Sequence, residues 1–265
     1  DIKDIYKITE EVIYPETYGD VLISESAFEK STTLKSVTLP KKCGKITIKK
    51  AAFNECKTLK TITFPKESGN ITIGNTAFRF CESLQDITFP EKCGTLTIGN
   101  QAFRYCPKIK TLTFPKKSGD ISIGKYAFVS CLGITKIKNI DNIVKYSAHA
   151  FENCNSLTSV TISDKTKFIG EYAFYSCDRL SEITLPNSVT SIGEYAFRNC
   201  ASLQRVSLSS GLETIPKGAF YNCVTLKNIT FPDSVKSIGE ESFRYCYDLS
   251  TITLSHSITS IAQNA

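Results

Sequence analysis

Eleven cysteines and two histidines are the residues of this 265-residue chain with the types to do chemistry. In the stretch Ala196-Phe197-Arg198-Asn199-Cys200 a thiol lies two residues after a guanidinium. A neighbouring cation lowers a thiol's pKa and makes it reactive, so the stretch suits a nucleophile, a metal ligand or half of a disulfide. The rest of the chain argues against all three. No C-x-x-C pair occurs, and His149 and His256 fall in different parts of the repeat, so neither zinc ligation nor a Cys–His pair has its partners. Phosphate-binding, serine-hydrolase and metalloprotease motifs are missing. Carboxylates are scattered, not paired at one locus as acid–base hydrolysis requires. The expectation is a chain with no enzyme activity, no metal and no cofactor.

What positions Cys200 is a repeat. Its phenylalanine recurs at Phe28, Phe53, Phe78, Phe103 and Phe128, a step of 25, and then at Phe151, Phe174, Phe197, Phe220 and Phe243, a step of 23. Alanine precedes each of them except at Ser242. Three residues later comes a cysteine at Cys56, Cys81, Cys106, Cys131, Cys154, Cys177, Cys200, Cys223 and Cys246, with Ser31 the only break. Six and nine residues after the phenylalanine are two further apolar columns, Leu34 to Leu249 and Val37 to Ile252. The eleventh position is apolar too, apart from Asn139.

One unit thus reads A-F-x-x-C-x-x-L-x-x-I-x-L-P. Its L-x-x-I-x-L half ends in a period-2, β-branched alternation, which predicts a short strand, and the proline closes it into a turn. A second short apolar run follows, such as Ile71-Thr72-Ile73. The A-F-x-x-C half is too short for a free-standing helix and predicts one helical or 3₁₀ turn. A unit this size cannot bury its own apolar face, whereas stacked copies can, strand beside strand at ~4.8 Å. Nine cysteines in one column then stack inside the stack as small hydrophobes with a weak S–H donor, suited to backbone carbonyls. Adjacent rungs at ~4.8 Å fit a disulfide poorly. Cys43 and Cys93 fall outside the column, in a turn position that Ser68 and Ser118 share.

Period and strand pattern resemble the leucine-rich repeat, and the A-F-x-x-C-x-x-L form resembles the subclass found in BspA-like surface proteins. The resemblance spans essentially the whole chain. It implies a repeat solenoid with parallel β-strands on the concave face and short strands, turns and 3₁₀ or helical turns on the convex side. It also implies an extracellular or cell-surface setting, with adhesion to host proteins or to other cells as the typical role. Free thiols are unusual in an oxidising space; burial or an anaerobic habitat would make them tolerable.

Residues 1–265 read as a single solenoid: repeats of 25 over 1–128, an irregular junction over 129–151, and repeats of 23 over 152–265. The junction lacks the proline, places Asn139 inward and sets Lys136 and Lys138 on the strand face. Val12-Ile13-Tyr14-Pro15 matches the end of an earlier repeat, and no methionine is present, so the chain is expected to be part of a longer protein.

A net charge of +6 without a run of five or six lysines does not point to nucleic acid. No apolar stretch approaches the ~18 to 20 residues that span a bilayer, so this segment is expected not to insert in a membrane. Function is expected on the outward strand positions, eight and ten after the phenylalanine. The tenth is a hydroxyl ladder, and the eighth varies from rung to rung. The candidate ligand-facing residues are Asp86, Thr88, Lys136, Lys138, Glu182, Thr184, Arg205 and Ser207, with Lys136 and Lys138 the locus for an acidic partner. Arg79, Arg104, Arg198 and Arg244 form a second outward stripe, three of them followed by Phe80, Tyr105 and Tyr245. This stripe suits either an interface or stacking between rungs. The expected partner is a protein or glycan on a host or neighbouring cell. An intracellular scaffold and a passive spacer presenting another domain are the alternatives.

Overall fold

The computed structural model describes residues 9–265. They form two compact units that divide between Asn142 and Ile143. Each is a parallel β-solenoid, and the division falls inside the stretch where the period drops from 25 to 23.

In the first unit the L-x-x-I-x-L segments form one column of strands: Glu11–Ile13, Ser36–Thr38, Thr61–Thr63, Ile87–Thr88, Thr111–Thr113 and Lys136–Lys138. Pairing is parallel and in strict register, Ser36 with Thr61 and Lys136 with Thr111, in two three-stranded sheets. The second apolar run forms the other column: Val21–Ile23, Ile46–Ile48, Ile71–Ile73, Leu96–Ile98 and Ile121–Ile123. Period-2 alternation decides what each column buries. The middle residue faces in on the first column (Val37, Ile62, Ile87, Leu112), and the two flanking residues face in on the second (Ile46 and Ile48).

The second unit repeats this plan at a step of 23. Glu182–Thr184 pairs with Arg205–Ser207, and Asn228–Thr230 with Thr251–Thr253. Its second column runs through Ile143–Tyr146, Phe168–Ile169 and Ser191–Ile192, then Thr214–Ile215, Ser237–Ile238 and Ser260–Ile261. The missing two residues come from the turn after the proline. Here Val189 and Val235 donate back to Pro186 and Pro232 in a tight turn and are fully buried. In the longer repeats the same stretch stays extended and bridges from rung to rung, as at Glu67 with Lys92 and Lys92 with Lys117.

The A-F-x-x-C side differs in detail from the expected 3₁₀ or helical turn. No residue there is helical among the described residues. The reason lies two residues before and two after each phenylalanine, where the backbone is left-handed, as at Ser26 (φ 54°), Lys30 (φ 61°), Tyr195 (φ 56°) and Asn199 (φ 61°). A left-handed residue breaks any helical run and costs a non-glycine roughly 1–2 kcal/mol. Its effect is to aim alternate N–H groups along the stack: Ser26, Phe28 and Lys30 donate to the carbonyls of Lys50, Ala52 and Asn54. The intervening residues close turns within the rung, as Ala27 to Ser24 and Ser31 to Phe28. Every N–H from Ser26 to Ser31 is used in one of these two ways, which offsets the conformational cost.

The phenylalanines are the spine of each unit. Phe28, Phe53, Phe78 and Phe103 stack at 5.0–5.1 Å between ring centres. Phe174, Phe197 and Phe220 stack at 5.5 and 5.4 Å. One core group departs from this pattern. Tyr146 is completely buried among Phe151 and Phe174, and its hydroxyl has no hydrogen-bond partner. An orphaned buried hydroxyl costs its desolvation, so Tyr146→Phe should raise stability by about 1 kcal/mol in a denaturant titration. A loss of stability would mean that the hydroxyl is satisfied.

Candidate functional site

All eleven cysteines are free, and those of the column are buried. Cys56 donates its S–H to the Phe28 carbonyl at 2.8 Å, and Cys81, Cys106 and Cys131 do the same to Phe53, Phe78 and Phe103 at 3.0–3.1 Å. In the second unit Cys200 reaches the Phe174 carbonyl and Cys223 the Phe197 carbonyl, both at 3.2 Å. The carbonyls of Phe53, Phe78, Phe174 and Phe197 also accept the backbone N–H of the cysteine in their own rung, as Cys56 to Phe53. The thiol therefore fills an acceptor site that a methyl group would leave empty. Burial pushes the Cys200 thiol up to about 12, so it holds its proton where a reactive cysteine would lose it. Ser31 takes the same place at the start of the column, accepting from the Leu34 N–H at 3.2 Å.

Arg198 does nothing to Cys200. Its guanidinium lies over Tyr221 at 4.3 Å and Tyr195 at 5.3 Å, with Tyr175 at 6.0 Å. The equivalent Arg79 and Arg104 lie over their neighbours Phe80 and Tyr105, whose rings stack on each other at 4.8 Å. Stacking between rungs is thus what this stripe does. The tyrosines around Arg198 were legible only from the column one place after the phenylalanine, where Tyr175, Arg198, Tyr221 and Arg244 alternate. Reading along the chain hides that alternation. His149 stacks on Tyr172 at 4.8 Å, and its Nδ1 meets Glu152 at 2.6 Å. Among the described residues no group of three or more His, Cys, Asp or Glu side chains could hold a metal ion.

The strand faces carry the remaining candidates, four in each unit. In the first, Asp86, Thr88, Lys136 and Lys138 belong to the three-stranded sheet of Ile87–Thr88, Thr111–Thr113 and Lys136–Lys138 or flank it, and all four are exposed. Asp86 is already engaged: its Oδ1 accepts the backbone N–H groups of Lys110 and Thr111 at 3.0 and 2.8 Å, capping the next strand. Lys136 and Lys138 form no ion pair among the described residues, and their ammonium groups stand on either side of the half-buried Ile137. Asn139, the break in the apolar column, adopts φ 59° and donates through Nδ2 to the Phe114 carbonyl at 2.9 Å. That bond turns the chain out of the strand just after Lys138.

In the second unit Glu182, Thr184, Arg205 and Ser207 lie directly opposite one another on paired strands, Glu182 against Arg205 and Thr184 against Ser207. Arg205 and Glu182 form an ion pair at 2.7 Å, with both side chains more than half exposed. An exposed pair of this kind is worth only about 0.2–1 kcal/mol, and it leaves this face electrically balanced.

No helix of the described residues is long and apolar enough to cross a membrane. Comparison with known proteins places this architecture. A solved leucine-rich repeat protein from Bacteroides ovatus is similar, with a TM-score of 0.62, 25% identity, and 95% of this chain and 74% of that chain covered. A leucine-rich repeat protein of T. pallidum is similar at a TM-score of 0.59 and 28% identity, over 69% of this chain and 83% of the other. Comparison with curated proteins gives no match. The family model described as the BspA-type leucine-rich repeat region matches residues 21–157, 96–217 and 167–265. These matches together cover residues 21–265, and the chain belongs to the BspA-type leucine-rich repeat proteins.

Proposed function

We propose that this chain is a non-enzymatic binding module of an extracellular or cell-surface protein, recognising a protein or glycan on a host or neighbouring cell through its strand faces. Leucine-rich repeat proteins mediate protein interactions, and membership of the BspA-type family supports that general class. The observation that carries the finer reading is the contrast between fixed and free positions on one strand. Val37, Ile62, Ile87 and Leu112 are interchangeable core residues, while the outward residue before each runs Ser36, Thr61, Asp86 and Thr111, and Lys136 precedes the half-buried Ile137. A rigid frame that holds varied side chains in register suits recognition better than chemistry.

Within that surface Lys136 and Lys138 are the residues to which an acidic partner binds. They form no ion pair among the described residues, in contrast to Glu182 and Arg205. Residues 1–265 act as one continuous solenoid in this reading. A binding screen against extracellular-matrix proteins and glycans tests it. A ligand should emerge whose affinity falls at least tenfold in a Lys136→Ala/Lys138→Ala double variant and weakens as salt rises. A ligand that binds the double variant as well as the parent would remove the strand-face lysines from the reading.

A further inference from the structure

The positive charge of the chain is not evenly divided. Residues 1–142 hold 22 Lys and Arg against 15 Asp and Glu, a net of +7; residues 143–265 hold 10 against 11, a net of −1. In the first unit much of this charge lies along one edge, in the turn after each proline. Four successive rungs present Lys41 and Lys42, then Lys66, then Lys92, then Lys116 and Lys117, all exposed. The extended turn of the 25-residue repeat fixes them in register, because Thr17 bridges to Lys42, Glu67 to Lys92 and Lys92 to Lys117. The same edge carries Glu16, Glu67 and Glu91. Two lysines are satisfied locally, Lys41 by Glu16 and Lys92 by Glu67 at 3.5 Å. Lys42, Lys66, Lys116 and Lys117 form no ion pair among the described residues. Beside the first two lies an open groove of about 830 Å³ with Leu39, Phe64 and Pro65 in its wall and Thr38 and Thr63 on its strand side.

We propose that this edge binds a linear acidic polysaccharide bearing one carboxylate per sugar. At least one ammonium group stands on every rung, and rungs are ~4.8 Å apart, about the length of one sugar in an extended chain. Threonine hydroxyls alongside match sugar hydroxyls, and Phe64 with Pro65 offers an apolar wall to the C–H face of a ring. A single-stranded nucleic acid would need successive stacking platforms, and on the four lysine rungs Phe89 and Phe114 are buried, leaving Phe64 as the partly exposed ring. An acidic peptide such as polyglutamate can also bond the hydroxyl row through its amides, but it has no C–H ring face to set against Phe64 and Pro65. This inference rests on the binding-module reading only in treating the surface as one for recognition; it uses a different set of lysines.

The test is calorimetric titration of the whole chain with polygalacturonate, its fully methyl-esterified form and polyglutamate. Binding of polygalacturonate alone, weakened at least tenfold in a Lys42→Gln/Lys66→Gln/Lys116→Gln/Lys117→Gln variant, is the expected result. All four substituted side chains are exposed, and circular dichroism checks that the variant stays folded. No binding of polygalacturonate, equal binding of the esterified polymer, equal binding of polyglutamate, or an unaffected quadruple variant would each overturn the proposal. A protein ligand retained on Lys136 and Lys138 in any of those cases would leave the proposed function standing.

Discussion

Raising the pH above about 9 should unfold each unit cooperatively, with a steepness set by its thiol column. An unfolded cysteine loses its proton near pH 8.5. In the folded chain burial pushes Cys56, Cys131 and Cys200 up to about 12 and Cys246 up to about 11, and holds Cys81, Cys106, Cys177 and Cys223 well above the ordinary thiol range. Above pH 8.5 the unfolded chain has therefore released protons that the folded chain keeps, so stability falls as pH rises. It is undiminished below that point and goes on falling until the folded thiols themselves ionise. Each buried thiol contributes a slope of about 1.4 kcal/mol per pH unit. Four such thiols in each unit give on the order of 5 kcal/mol per pH unit, against a domain stability of about 5–15 kcal/mol.

Circular dichroism from pH 8 to pH 11 checks the transition, and thiol alkylation checks its origin. At pH 8 the thiolate population at Cys200 should be roughly a thousandfold below that of an unfolded cysteine. The column should then react only as the chain unfolds, with the half-buried Cys43 first in the native state. Retention of full structure at pH 11, or rapid native alkylation of the column, would mean that the thiols are not where the fold places them.

Phe197→Ala should destabilise the second unit by about 3–5 kcal/mol, the usual cost of truncating a large core aromatic. Phe197 has no exposed surface and stacks on Phe174 and Phe220 with ring planes within 4° of parallel. Its removal opens a gap in the spine that neither neighbour can fill, because each is held by its own rung's backbone. Repeat stability is a sum of rung and nearest-neighbour terms, so the loss falls on two interfaces at once. The midpoint of chemical denaturation reads it directly. An unchanged midpoint would place the phenylalanine column outside the core.

Most of the fold was legible because the repeat averages ten readings of one unit. The column of Phe28 to Phe243, the inward cysteines and the strand at Val37 or Ile183 each follow from spacing and period. The turn at A-F-x-x-C was read as helical, since a five-residue segment carries no period that would reveal left-handed residues at Ser26 and Lys30. Ordinary side chains occupy those places, and only the lateral hydrogen bonds to the next rung explain why they tolerate them. Asp86 looked like a free carboxylate because its partners, the N–H groups of Lys110 and Thr111, lie about one repeat away in sequence. Arg198 was legible as outward, and its neighbours Tyr175 and Tyr221 on the adjacent rungs only by reading down the column one place after the phenylalanine.

The lateral hydrogen bonds also set how each unit would carry a mechanical load. They run along the stacking axis and join each rung only to its neighbours, on both strand columns and on the A-F-x-x-C side. Tension applied along that axis pulls every one of these bonds lengthwise, and a terminal rung has half as many as an interior one. Failure then begins at an end and peels inward one rung at a time, each freed rung lengthening the tether by roughly 80 Å at ~3.4 Å per extended residue. A solenoid of this kind yields gradually under a pull, spending its length before it releases what it holds.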